Sequence, residues 1–274
     1  MLIYRLLLSL IFVFPSVSIA QTAKSNIGPI DKLQYICTYQ LDYIRDSTDQ
    51  QKVRMEEMLL FIGETVSKFQ SRNSFIVDTL VKNRKTEDVS ILLAKTKGLS
   101  SGFRFQIYKN YPEGNITSID KIEHDFYLMQ EPMTLFKWKI LEDTATYLGY
   151  HCQKAFTYYA GRKYEAWFTS EIPISEGPYK FNGLPGLIVK IKDTRNHYSF
   201  ELISFVKSKE QSQIVFPEMN YIKTNGKAFM KARVDYVENS VERMAQRGIR
   251  MNMDSETQKE TVKSSRNNYI EIYN

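Results

Sequence analysis

The chain is short of the residue types from which most reactive sites are built. Its 274 residues hold two cysteines and three histidines. His124, His151 and His197 lie far apart, and none belongs to a close pair with metal-ligand spacing. Glu123-His124-Asp125 is the densest cluster, but on an alternating strand His124 points away from both carboxylates and the group reads as surface charge. No metal and no cofactor are expected. No GK[ST] follows a glycine-rich stretch, which removes the phosphate cradle of nucleotide-binding loops. The charge of +6 comes from 37 basic and 31 acidic residues. That excess is spread along the chain rather than clustered, so nucleic acid is not an expected partner. A mixed-charge solvated surface is the first reading, with an anionic membrane or glycan surface second. Beyond the first 20 residues no apolar run approaches the roughly 20 residues of a spanning helix.

What is abundant is apolar and aromatic, at 43% and 13% of the residues. Residues 1–20 have the pattern of a secretory signal: Arg5, the apolar run Leu6–Phe14, and Ser18-Ile19-Ala20 before Gln21. They predict an exported chain, periplasmic or secreted, with one domain over 21–250 and a polar tail over 251–274. In an oxidising compartment Cys37 and Cys152 can form a disulfide; two buried free thiols are the alternative. A catalytic thiol lacks the base and oxyanion donor it needs.

Period-two alternation dominates. Leu33–Leu41, Met55–Gly63 with its continuation Ser67–Gln70, the stretch from Val89 through Phe103-Phe105-Ile107, Ile116–Met129 and Thr134–Leu141 all read as strands. Asn73 can cap a short helix from Ser74 to about Lys82, although a strand competes there. Pro112–Asn115 is a turn, and Asp143-Thr144 another. Ala160-Gly161-Arg162-Lys163 is a tight hairpin between Phe156–Tyr159 and Tyr164–Thr169, with Gly161 able to take positive φ. Leu187–Lys192 and Tyr198–Val206 form the next pair. Thr224 and Asn225 can cap one helix from Gly226 to about Arg247, whose stripe of Phe229, Met230, Val234, Val237, Val241 and Met244 docks on the sheet. Tyr269–Tyr273 alternates well enough for an edge strand. Short antiparallel strands with little regular helix between them predict a mainly β (α+β) fold, a curved meander or half-barrel covered by one or two helices.

The most tightly punctuated stretch runs from Pro173 to Gly186 and ends in Gly183-Leu184-Pro185-Gly186-Leu187-Ile188. Pro185 and Gly186 suit positions i+1 and i+2 of a type II turn, and Leu184-Pro185-Gly186-Leu187 is read as one. With Glu165-Ala166-Trp167-Phe168-Thr169, Glu171-Ile172-Pro173 and Gly177-Pro178-Tyr179-Lys180-Phe181, this stretch resembles the GLPGLI family of exported Bacteroidetes proteins. The match covers about Trp138–Phe205. The resemblance implies a secreted or periplasmic protein without an assigned enzymatic activity.

The aromatics around the corner, Trp167, Tyr158, Tyr164, Tyr179 and Phe181, are the candidate binding surface. They suggest a non-enzymatic module of the envelope holding an apolar small molecule or an extended segment of an envelope or outer-membrane protein. The rival is a hydrolase of envelope glycans or peptides acting through Glu165 and Glu171. The third reading is a structural subunit of an outer-membrane assembly, docked through the helix from Gly226.

Overall fold

The structure is a computed structural model, which describes residues 28–83, 88–209, 212–246, 248 and 267–273. The expected signal segment, residues 1–20, and most of the expected polar tail lie outside the described residues.

Thirteen strands form one open sheet. In chain order they are β1 (Asp31–Ile44), β2 (Val53–Gly63), β3 (Ser67–Ser71), β4 (Gln106–Lys109), β5 (Asn115–Ile122), β6 (Asp125–Pro132) and β7 (Lys139–Tyr147), followed by β8 (Tyr150–Tyr159), β9 (Arg162–Thr169), β10 (Leu187–Asp193), β11 (Tyr198–Lys207), β12 (Gln213–Ile214) and β13 (Tyr221–Thr224). Their spatial order is β13-β6-β5-β4-β3-β2-β1-β11-β10-β9-β8-β7, with β12 added beside the start of β1. β1 sits near the middle, paired with both β2 and β11. Its odd-numbered residues Cys37, Tyr39 and Leu41 are fully buried. Every pairing is antiparallel except β13 on β6. The expectation of a mainly β antiparallel fold holds, and the sheet stays open between the edge strands β13 and β7.

Four helices complete the described chain: α1 (Arg72–Asn83), α2 (Val89–Thr96), α3 (Gly226–Glu238) and α4 (Ser240–Gln246). Asn225 caps α3 as expected, its side chain accepting from the Ala228 amide at 2.9 Å. The single helix to Arg247 is two pieces broken at Asn239. Only Phe229 and Val237 of α3 are buried, and Phe229 packs with Ile122 of β5 and Met129 of β6. α1 forms where the cap was read, but Ser71 accepts from the Ser74 amide at 3.3 Å, while Asn73 donates to the Ser100 carbonyl.

Other expectations need correcting. Ser67–Gln70 turns back on β2 rather than continuing it, because the Asp31 carboxylate accepts the Thr65 and Val66 amides, each at 2.7 Å, and holds the reversal. Val89–Thr96 is a helix, started by Asp88, whose side chain accepts from the Ser90 amide. Ile116–Met129 is two strands, reversed at Glu123 with φ 55° and no glycine to announce it. Thr134 belongs to a 3-10 turn, and Asp143-Thr144 lies inside β7; the reversal comes at Leu148-Gly149, with φ 50° and 83°. Residues 269–273 form no strand.

Cys37 and Cys152 are both buried and unbridged. β1 and β8 are separated by β11, β10 and β9. Four ladder steps amount to about 19 Å along the sheet, against the less than about 7 Å between Cα atoms that a disulfide allows.

Candidate functional site

Between β9 and β10 the chain leaves the sheet and lies across its inner face. Ile172, Tyr179, Phe181 and Leu184 pack there with Leu60, Phe69, Ile107 and Phe200. The corner Gly183–Ile188 makes this packing sterically feasible. Gly186 has φ 152°, and a Cβ there would sit 2.0 Å from the Thr169 carbonyl oxygen, so only glycine lets the chain pass that close to β9. The turn is tighter than type II: the Gly186 amide donates to Leu184 O at 2.8 Å, and the Leu187 amide goes to Ile172 O. The inserted segment is also anchored from below. The buried Lys109 of β4 donates to the Gly177 and Phe181 carbonyls at 2.6 and 3.2 Å and pairs with Glu176. Burial lowers the Lys109 pKa, and the Glu176 carboxylate works against that shift.

A second layer comes from residues 267–273, which cross the same side as an extended strap. Arg162 Nη2 donates to Asn268 Oδ1 and Tyr269 O, each at 2.6 Å, while its Nη1 pairs with Asp193 at 2.6 Å. Tyr198 and Tyr164 donate to the Asn268 and Ile270 carbonyls. Glu271 then enters a buried cluster, accepting from Lys180 Nζ and Tyr179 Oη at 2.5 Å and from Tyr159 Oη at 2.6 Å. Lys180 also pairs with Glu131 at 2.5 Å. Burial by itself would raise the Glu271 carboxyl; the Lys180 charge and the tyrosine hydroxyls outweigh it and hold the group below the usual range. Burial would likewise lower Lys180, and its two carboxylate partners reverse that. Burial and the Glu271 charge push both tyrosines well up, so they stay protonated as donors.

Strap, α3 and inner face together enclose a cleft of about 930 Å³. Phe105, Ile107, Met129 and Tyr179 form apolar parts of its wall. Ser118 and Asp120 interrupt the apolar inward row of β5, Ile116–Ile122, and both are buried. Asp120 is paired with Arg233 of α3 at 2.7 Å, whereas Ser118 Oγ has no hydrogen-bond partner among the described residues. Opposite, Glu56 accepts from Ser101 and from the Gly102 amide. Arg54, Arg72, Arg104 and Lys121 also line the cleft. Arg72 pairs with Glu57 at 3.0 Å, and Lys121 lies over the Phe126 ring.

The expected aromatic surface is divided by the sheet. Tyr164, Tyr179 and Phe181 are core, with Tyr164 and Phe181 ring centroids 4.7 Å apart. Of the three, only Tyr179 reaches the cleft wall. Trp167 is half-buried beside Tyr147 and alternates with the buried Ala166 and Phe168, so it faces the other side; Tyr158 is 69% exposed. Glu165 pairs with Lys154 at 3.4 Å, and Glu171 accepts the His151 amide at 2.7 Å. Neither lines the cleft, and the two do not face each other across one. Among the described residues no group of three His, Cys, Asp or Glu side chains could hold a metal ion. The cleft residues were missed because each looks ordinary alone. The signal that could have found them is a polar residue at an inward strand position, Ser118 and Asp120 above all.

A family described as protein of unknown function (Porph_ging) matches over residues 157–190, the β8–β9 hairpin, the inserted segment and the start of β10. None of the curated proteins matches the chain. Two crystal structures of PNGF-II, in space groups C2 and P21, share the fold at TM-scores of 0.50 and 0.51 and 16% identity. The similarity covers 73% of this chain but only 32% and 33% of those chains, so this chain corresponds to about a third of their length.

Proposed function

We propose that this chain is a non-enzymatic binding module of the bacterial envelope, and that its ligand is an extended segment of a partner protein carrying acidic side chains. The observation that carries the reading is the cleft itself: about 930 Å³ of open space over an otherwise packed inner face, lined by Arg54, Arg104 and Lys121 as well as by aromatic rings. Pockets with a few convergent polar groups on an apolar wall are the usual ligand sites. The polar lining, with the unpartnered Ser118 hydroxyl, favours a peptide over a wholly apolar small molecule. Placement in the GLPGLI family of exported Bacteroidetes proteins, and with it a periplasmic or secreted location, belongs to the same proposal. It is supported by the 157–190 match and by the close packing that Gly186 permits.

The test is fluorescence anisotropy with a labelled decapeptide of alternating Glu and Ser, beside a Lys-Ser and an all-Ser control. Selective binding of the acidic probe, weakened at least 10-fold in Arg54→Glu/Arg104→Glu, supports the reading. Equal affinity for all three probes, or unchanged binding by the double variant, overturns it.

A further inference from the structure

The groove that holds residues 267–273 reads the segment residue by residue. It is assembled from the end of β1, the β8–β9 turn and the starts of β9 and β11, with Lys180 and Tyr179 of the inserted segment behind them. Asn268 is buried and engages all of its polar atoms. Its amide donates to Arg45 O at 3.2 Å and its Nδ2 to Ile44 O at 2.7 Å, while its Oδ1 accepts from Arg162 and its carbonyl from Tyr198. Aspartate there would set an oxygen against the Ile44 carbonyl. Three residues on, Glu271 fills the cage of Lys180, Tyr159 and Tyr179. Tyr164 donates to Ile270 O between them, and the Ile272 amide donates to Ala160 O at 2.9 Å. Gly161 lets the segment pass this close, since a Cβ there would lie 2.7 Å from the Ile272 carbonyl oxygen.

These are the contacts of a bound peptide rather than of a piece of sheet. Residues 267–273 form no strand, and the groove reaches their backbone mainly through arginine and tyrosine side chains. None of these bonds requires the segment to be continuous with the fold. A buried ion pair such as Lys180–Glu271 is a weak source of stability beside apolar packing of the same volume. What it supplies is selectivity: a segment without glutamate at this point leaves the Lys180 ammonium and two buried tyrosine hydroxyls short of an acceptor. The present occupant also leaves one donor of the groove unused. Arg162 Nε is buried with no hydrogen-bond partner among the described residues, an imperfection that disfavours the strap as occupant.

We propose that this groove is a recognition site for an extended segment of another protein bearing an asparagine and, three positions on, a glutamate. The strap is its resident occupant and is displaced when that segment arrives. Covalently attached, the strap competes as an intramolecular ligand, so the incoming segment binds more tightly once the strap is weakened. The inference does not rest on the ligand proposed for the cleft, whose Arg54 and Arg104 make none of the bonds described for the groove.

The test uses a labelled synthetic peptide of residues 267–273, Asn-Asn-Tyr-Ile-Glu-Ile-Tyr, and the full chain carrying Asn268→Ala/Glu271→Gln, which loosens the strap and leaves the groove residues intact. Fluorescence anisotropy is expected to show the variant binding the peptide about 10-fold or more tightly than the unmodified chain. Peptides carrying Asn268→Asp or Glu271→Gln should each bind the variant about 10-fold more weakly. The aspartate peptide separates this site from the cleft: it is the more acidic probe, so the cleft's basic lining would hold it at least as well. A second measurement needs no variant. Hydrogen exchange on the unmodified chain should show the Asn268 and Ile272 amides losing protection in excess peptide. Either response, selective for the native peptide over its aspartate form, supports the proposal. No binding by the variant together with unchanged strap amides overturns it, as does equal affinity for the native and aspartate peptides. So does a chain that doubles in size with concentration and that no peptide returns to monomer, which would assign the groove to straps exchanged between copies.

Discussion

Two insertions between neighbouring strands, the β9–β10 segment and the α1–α2 pair between β3 and β4, have similar apolar character and opposite fates. The first folds inward and is held by apolar packing and by polar anchors that reach it from elsewhere in the chain: Lys109 from β4 and Trp138 Nε1, just before β7, which donates to Asn182 O at 2.7 Å. The second folds outward, touches the body at few points and leaves its large side chains in solvent. The difference lies in what each meets. An insertion contributes to folding only where the rest of the chain supplies both a surface and partners for its backbone groups; without them it is available for contacts outside the chain.

The comparison can be broken from the inner side. Lys180→Met leaves Glu131 and Glu271 in the buried cluster without their cation, and is expected to cost about 3–5 kcal/mol of unfolding free energy in a urea titration. Gly186→Ala forces a methyl group against the Thr169 carbonyl and should cost about 2–5 kcal/mol. A loss below about 1 kcal/mol in either would show that the inner insertion is no better fastened than the outer one.

Acid sharpens the same contrast. The Glu271 carboxyl is held below its ordinary value of 4.5 in the folded chain. The unfolded chain therefore binds that proton first, and the stability contributed by Glu271 is present above pH 4.5 and lost as pH falls through the lower folded value. Glu271→Gln should flatten that part of the stability–pH curve in equilibrium unfolding at pH 3 to 6. An unchanged slope would mean that the cluster does not hold the strap. The smallest effect belongs to the outer insertion, where Leu93→Ser is expected to change unfolding free energy by less than about 0.5 kcal/mol.

Local signals carried much of the fold. Gly161 takes φ 76° in the expected hairpin, Asn225 caps α3, and the Pro112–Asn115 turn closes with the Asn115 amide on Pro112 O. Glycine, proline and cap residues act within a few positions, so sequence alone can show them. Where reversal depends on a remote group, as at Gly63–Val66 under Asp31, or uses positive φ at Glu123, the pattern ran on as strand and misled. Val89–Thr96 failed for a related reason: its β-branched residues favour a strand, and the Asp88 cap prevailed in a segment with no strand to pair against.

The candidate site was less legible than the fold. Tyr164, Tyr179 and Phe181 are aromatic whether they form a surface or a core, and the segment folded over them decides which. Residues 269–273 read as a terminal edge strand, yet they lie in a strap that Arg162 binds from more than 100 positions away. By itself the sequence determined a β-rich chain, its tightest corner and the glycine that corner requires, because those follow from backbone sterics and alternation. Only the tertiary structure decided which polar residues became buried anchors, where the open cleft lies and which apolar helix was left uncovered, because each depends on pairing between segments whose distance in space is not encoded by their distance in sequence.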